Sequence, residues 1–91
     1  MYQVGFTSTF KKQYKRYQSQ TKIHKEFLLV MDFLVHEKPL PSKYRNHKLS
    51  GDLKAYQELH VLPDTLVIYE KDDDQKKITF AQIGSHSNLF K

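Results

Sequence analysis

Tyr56-Gln57-Glu58-Leu59-His60-Val61-Leu62-Pro63-Asp64-Thr65-Leu66-Val67-Ile68-Tyr69 is the stretch that decides the fold. Leu59 and Val61 alternate with Glu58 and His60. That period of two marks a strand with one apolar face and one polar face, placed here at residues 54–62. Tyr56, Glu58 and His60 share the polar face. Leu62-Pro63-Asp64-Thr65 reads as a hairpin turn of type I, with proline at its second position. Leu66 to Lys71 follows as the most apolar strand. Two strands joined this tightly are antiparallel.

A third strand is expected over Lys77–Ile83, after the charged turn Asp72-Asp73-Asp74, with Gly84 breaking it. Upstream, Tyr2, Val4 and Phe6 alternate with Gln3 and Gly5, which predicts a short opening strand. Thr7 or Ser8 can cap a helix running to about Ser19, striped by Phe10, Tyr14 and Tyr17. A second helix is expected from Thr21 to His36, because Ile23, Phe27, Val30, Met31 and Leu34 keep the helical period. The short link between the helices makes them an antiparallel hairpin. Glu37–Asp52 reads as loop, since Pro39 and Pro41 forbid continued helix. The order gives a single α+β domain over residues 1–91. A two-helix hairpin packs on one face of an antiparallel sheet, and the other face stays open for a site.

Composition narrows the function classes. The 91 residues suffice for one domain, and the longest apolar run, Phe27–Met31, is 5 residues, too short to span a bilayer. The opening residues lack a basic segment followed by an apolar one, so no signal peptide is expected. There is no cysteine, which excludes disulfides and thiolate chemistry and suits a cytoplasmic setting. Residues 1–54 carry 11 basic and 4 acidic side chains, and residues 55–91 carry 4 and 6. The first 25 residues hold no acid. A cationic half of this kind calls for a polyanion: nucleic acid, an anionic surface or an acidic protein.

Five histidines are the candidate chemistry. His24, amid Lys22, Lys25 and Glu26, reads as a solvated surface residue, and His36 as a helix-end residue suited to the dipole. His47 follows the basic loop Lys43-Tyr44-Arg45-Asn46. His60 shares a strand face with Glu58, Asp64 lies in the turn beyond, and His86 stands between Ser85 and Ser87. Imidazoles held beside carboxylates can exchange protons near neutral pH. Three histidines and a carboxylate could also ligate zinc, but no pair has the spacing of a helical ligand motif, so no metal is expected. The phosphate-loop and dinucleotide fingerprints are absent, and no cofactor is expected. Phe10, Tyr14, Phe27, Phe33 and Phe80 are read as core. Tyr44, Tyr56 and Phe90 are the candidates for stacking on a base.

Three segments together carry a resemblance. Leu40-Pro41, with Tyr44-Arg45-Asn46-His47-Lys48-Leu49-Ser50-Gly51, is the first. Tyr56 to Asp64, continued to Ile68-Tyr69, is the second. Ile83-Gly84-Ser85-His86-Ser87-Asn88-Leu89-Phe90 is the third. In this order and spacing the chain resembles the YafQ-type branch of the RelE/ParE toxin superfamily over essentially its whole length. The resemblance implies a bacterial, cytoplasmic toxin of a type II toxin–antitoxin module. It implies an endoribonuclease that cuts mRNA, typically on the ribosome, and that is neutralised by a cognate antitoxin. It further implies a monomer when free and a hetero-oligomer with antitoxin. His47, Glu58, His60, Asp64, His86 and Phe90 are the catalytic positions it carries over. Lys11, Lys12, Lys15, Arg16, Lys43, Arg45 and Lys48 are expected on the RNA backbone, mostly ribosomal RNA, and Gln82 near the phosphate. Many relatives carry arginine at the position of Gln82, and glutamine supplies no charge. The alternatives are a ParE-like gyrase inhibitor and a noncatalytic nucleic-acid-binding module, neither of which needs clustered proton donors.

Overall fold

The computed structural model describes residues 1–51 and 55–89. Its elements run β1 (Gln3–Phe6), α1 (Ser8–Tyr14), a 3-10 turn (Lys15–Tyr17) and α2 (Thr21–Val35). A second 3-10 turn (Ser42–Tyr44), β2 (His47–Lys48), β3 (Tyr56–Leu62), β4 (Thr65–Asp72), β5 (Lys77–Gly84) and α3 (His86–Leu89) follow. The strands form one sheet in the order β1-β5-β4-β3-β2.

The expected meander is present, with β3 antiparallel to β4 and β4 antiparallel to β5. The sheet as a whole is mixed, however, because β1 lies parallel to β5, with Val4 opposite Ile78. The helical hairpin between them carries the chain back to the starting end, as a parallel connection requires. The Glu37–Asp52 loop is also corrected. His47 and Lys48 pair with Glu58 and Gln57 and add a short edge strand. Two residues are too few for an alternating pattern to show. Other differences are local. The first helix stops at Tyr14 and tightens into a 3-10 turn. Gly84 closes β5 instead of breaking it, and the tail forms a helical turn. The expected strand start at Lys54 lies outside the described residues.

Thr7 caps α1 as its sequence position suggests, its hydroxyl accepting from the Phe10 N–H at 3.0 Å. The same hydroxyl donates to the Ala81 carbonyl at 2.7 Å. That carbonyl is freed by a bulge: Ile68 faces Gln82 and Tyr69 faces Phe80, leaving Ala81 as the extra residue. α1 thus covers the edge of β5 where β1 ends.

The core lies between the helices and one face of the sheet. Leu59, Val67, Tyr69, Ile78 and Phe80 meet Phe10, Ile23, Phe27 and Val30, all nearly or fully buried. Phe80 centres an aromatic cluster, with Phe27 edge-on at 4.9 Å and Phe10 at 5.8 Å. Tyr14 packs partly against this core, while Phe33 is half-buried and stands outside it. Tyr44 belongs to the core, so it is no stacking platform. Leu66 and Ile68 are also buried, on the opposite face. There α3 folds back so closely that a Cβ on Gly84 would lie 3.2 Å from Leu89 Cδ2.

Candidate active site

β3 presents Tyr56, Glu58 and His60 on the face away from the helical core, and β2 lies alongside. The antiparallel pairing puts His47 directly opposite Glu58. Glu58 is buried, and its two carboxylate oxygens face two imidazoles. His60 Nε2 is 3.5 Å from Oε1, and His47 Nε2 is 3.9 Å from Oε2. Each ring is held from behind by a backbone carbonyl. His47 Nδ1 meets Arg45 O at 3.0 Å, and His60 Nδ1 meets Pro63 O at 3.4 Å. Both ring planes are therefore set by the chain, with Nε2 turned toward one shared carboxylate. His60 is largely buried, and His47 is half exposed.

The loop carrying His47 rests on a polar knot anchored by the buried Tyr69. The Tyr69 hydroxyl donates to Asn46 Oδ1 at 2.6 Å and lies 3.1 Å from Gln57 Oε1. The Asn46 amide donates to the same Gln57 oxygen at 3.1 Å. Burial pushes the Tyr69 phenol up to about 12, so this donor keeps its proton throughout the neutral range. Arg45, just before it, takes a left-handed turn at φ 47°.

His60 also lines a cleft of ≈ 400 Å³ rimmed by Lys22, Lys43 and Arg45, with Glu26 the one acid among its described lining residues. Three cations beside an imidazole make a place for a phosphate. Lys43 is partly spent within the protein, since Glu26 pairs with it at 3.0 Å and accepts from Tyr44 at 3.2 Å. That pairing raises the Lys43 ammonium above its ordinary range. Lys11, Lys12, Lys15, Arg16, Arg45 and Lys48 are exposed. The first four follow α1 and the turn after it, and Lys11 and Lys15 line a groove with His24 instead of the cleft beside His60.

His86 and Asp64 sit at the same end of the sheet. The pairing aligns His60, Leu66 and Gly84 in one row, and His86 opens α3 two residues beyond. Ser85 caps that turn, its hydroxyl accepting from the Asn88 N–H at 3.2 Å. Asp64 is exposed in the two-residue hairpin loop. Among the described residues no hydrogen bond or ion pair joins it to His60, whose ring is held by Pro63 instead. Phe90 lies outside the described residues. His24 is exposed, as expected, with Nδ1 at 2.8 Å from the Tyr14 hydroxyl. His36 caps α2 and pairs with Asp32 at 3.1 Å.

Lys22, Glu26 and Gln13 were not among the sequence candidates. Lys22 and Glu26 stand at i and i+4 on α2, a spacing that signals only a surface pair. Gln13 lies off the apolar stripe of α1, and nothing local marks it. Its carboxamide oxygen accepts from the Ile83 N–H at 2.8 Å, and its amide nitrogen is 3.4 Å from Gln82 Oε1. Among the described residues no group of three or more His, Asp or Glu is arranged to hold a metal ion, and no helix is long and apolar enough to cross a membrane.

A small α+β domain with paired histidines on the open face of its sheet and a cationic helical hairpin is the architecture of a RelE-like toxin. Comparison with known proteins makes this specific. The family model described as the bacterial toxin of type II toxin–antitoxin systems, YafQ, matches residues 2–91. The mRNA interferase toxin YafQ of Escherichia coli K12 is 32% identical over 88 residues, 96% of this chain and 94% of the relative. The E. coli DinJ–YafQ complex superposes with a TM-score of 0.87 at 30% identity, covering 100% of both chains. A metal-bound toxin from Helicobacter pylori superposes with a TM-score of 0.90 at 32% identity, covering 99% of this chain and 100% of that one. The chain belongs to the YafQ family of bacterial type II toxins.

Proposed function

We propose that this toxin is an endoribonuclease that cuts mRNA, arresting translation, by acid–base chemistry that needs no metal. The observation that carries this reading is Glu58, one buried carboxylate facing two imidazoles beside a cation-rimmed cleft. In the reaction the ribose 2′-OH attacks the adjacent phosphorus as one group removes its proton. The bond to the 5′-oxygen breaks as another group protonates it. The products are a 2′,3′-cyclic phosphate and a 5′-hydroxyl. His60 and His86 are the proton-transfer pair, and His47 contacts the phosphate or relays a proton. Glu58 orients His47 and His60. In this conformation the Asp64 carboxylate reaches neither ring, so the orienting role falls to Glu58. Arg45 and Lys22, with Lys43, stabilise charge on the phosphate oxygens, a task for which Gln82 has no charge to offer. Phe90 stacks on a base. Lys11, Lys12, Lys15, Arg16 and Lys48 hold the RNA backbone, ribosomal RNA included, since the cut is made on ribosome-bound message.

The partner is a cognate antitoxin, as DinJ is in the E. coli complex. An acidic segment suits the helical hairpin, whose apolar groove between Phe10, Tyr14, Phe27 and Leu28 is edged by Lys11 and Lys15.

The test is cleavage of a defined mRNA, free and on programmed ribosomes, by the wild type and by a His60→Ala, His86→Ala variant. Loss of either imidazole is expected to lower the rate on the order of a hundredfold to ten-thousandfold. Cuts should carry a 5′-hydroxyl and persist in EDTA on free RNA. Unchanged cutting by the variant would overturn the assignment of the histidines, and cutting abolished by EDTA would overturn the metal-free chemistry.

A further inference from the structure

Gln82 stands on the open face in the cross-strand row Glu58–Ile68–Gln82. Its amide is oriented by a chain of hydrogen bonds that begins at the backbone. The Ile83 N–H can only donate, so the group meeting it at 2.8 Å is the Gln13 carboxamide oxygen. That leaves the Gln13 NH2 to meet the Gln82 carbonyl oxygen at 3.4 Å. Gln82 is thereby held with its acceptor toward α1 and its own NH2 turned away from it. Among the described residues no hydrogen bond takes up the two N–H groups of that amide, which leaves them to a ligand.

Gln82 lines a cleft of ≈ 280 Å³ together with Thr7, Thr9, Tyr56, Ile68 and Leu89. Among the described residues no charged side chain lines it, although the protein carries a net charge of +5 and the cleft beside His60 is rimmed by three cations. A phosphate would find no counter-charge there. An uncharged planar group would find an aromatic wall, aliphatic contacts and two amide donors. Ile68 separates this cleft from Glu58 by one strand, about 4.8 Å. It therefore adjoins the proposed reaction centre.

We infer that this cleft is a subsite for one nucleobase of the RNA, flanking the scissile phosphate. Tyr56 supplies the stacking face, and the Gln82 amide donates to an acceptor on the base edge. Gln13 is a positioning residue that sets which end of the amide the base meets. The inference rests on the nuclease reading above and adds to it the origin of base preference.

An enzyme–substrate cycle tests it. A message with a mapped cut is prepared intact and with one abasic nucleotide stepped through the flanking positions. Wild type, Tyr56→Leu and Gln82→Leu are compared by kcat/KM, on ribosomes if free RNA is not cut. At one position the abasic change should cost the wild type on the order of tenfold to a hundredfold. The variants should show that loss on intact RNA and little further loss on the abasic RNA. Gln13→Glu separates positioning from support. Its carboxylate still accepts from Ile83, but has no NH2 to give, so Gln82 should turn over and present its carbonyl. Preference should then shift from bases with an acceptor at that edge to bases with a donor, at unchanged Tm. Losses that simply add at every position, or an unchanged preference in Gln13→Glu, would overturn the subsite. If the wild type cuts nothing, the nuclease reading fails instead. The same intact and abasic RNAs are then compared by fluorescence anisotropy, where additive losses again reject the cleft as a base site.

Discussion

Glu58 and Leu59 are neighbours on one strand and both are buried, at 6% and 0% exposure. They are buried by different things. Leu59 faces the helices, where its cover is apolar and supplied at short range by the hairpin. Glu58 faces the other side, where His47 from the edge strand and His60 from its own strand flank it. The core face is a matter of volume and period, and many apolar residues could serve it. The open face is a matter of atoms meeting atoms, and each of its residues is set by a particular neighbour. Substitutions on the two faces should therefore separate stability from activity.

Phe80→Ala should give the largest effect on stability. Phe80 is fully buried and its ring meets those of Phe6, Phe10, Phe27 and Tyr69. Truncation should cost about 3–5 kcal/mol, a large part of what a small domain has. Urea unfolding would register it, and cleavage would fall with the folded fraction. His60→Ala should do the reverse, with activity lost and the urea midpoint nearly unchanged. A His60→Ala variant that unfolds as readily as Phe80→Ala would erase the distinction between the faces.

Glu58→Gln sharpens it further. The amide keeps the shape but loses the charge that both imidazoles face. A charge-assisted contact is worth about 1.5–3 kcal/mol, so the rate should fall roughly tenfold to a hundredfold. The fall should appear in kcat more than in KM, because the substrate-binding cations are untouched. An equal effect on KM alone would make Glu58 a binding residue and not an orienting one.

The core face was legible because periodicity is a local property. Phe10, Ile23, Phe27, Val30 and Leu59 follow from spacing alone, and so does the polar face with Glu58 and His60. Four things were not legible. Tyr44 looked like a surface aromatic in a basic loop, yet its ring is buried and its hydroxyl tied to Glu26. The short strand at His47–Lys48 owes its existence to the edge of β3. It has no pattern of its own, and neither has the parallel pairing of β1, which depends on the path of the helices. Gln13 acts through Ile83 and Gln82, some 70 positions away in sequence. Contacts of that range leave no mark within either segment, so a reading of one sequence finds the two ends separately and not their meeting.

Tyr69→Phe probes a residue that belongs to both faces, packed in the core but hydrogen-bonded to the loop that delivers His47. Removing the hydroxyl takes its donor from Asn46 Oδ1, which is exposed enough for water to replace it, so the loss is about 0.5–1.5 kcal/mol. The pH dependence has a definite sign. The folded phenol is pushed up to about 12 by burial, from an ordinary 10. Its stabilising effect is complete below pH 10 and disappears as pH rises from 10 to 12. The phenylalanine variant should lack that portion of the alkaline decline. A variant as stable as the wild type, with the same alkaline slope, would show that the Tyr69 hydroxyl does not support the loop carrying His47.

The smallest effect is expected at the far end of the sheet, where no catalytic group lies. The Tyr2 hydroxyl donates to Asp73, and Lys71 and Lys76 stand 5.2 and 5.3 Å from the ring. The Asp73 carboxylate raises the Tyr2 phenol to about 12, and Tyr2 in turn holds Asp73 below its ordinary 3.8. The two shifts bracket a window. The tyrosine contribution is present below pH 10 and lost as pH climbs toward 12. The aspartate contribution is present above pH 3.8 and lost as pH falls through its lowered value. Tyr2→Phe should therefore lower Tm slightly between these limits and converge on the wild type beyond them, with cleavage unchanged at neutral pH. Because Asp73 is exposed, solvent screening keeps the effect small, and added salt should shrink it further. A Tm difference that persisted unchanged once Asp73 is fully protonated would mean that the Tyr2 hydroxyl acts independently of the carboxylate's charge.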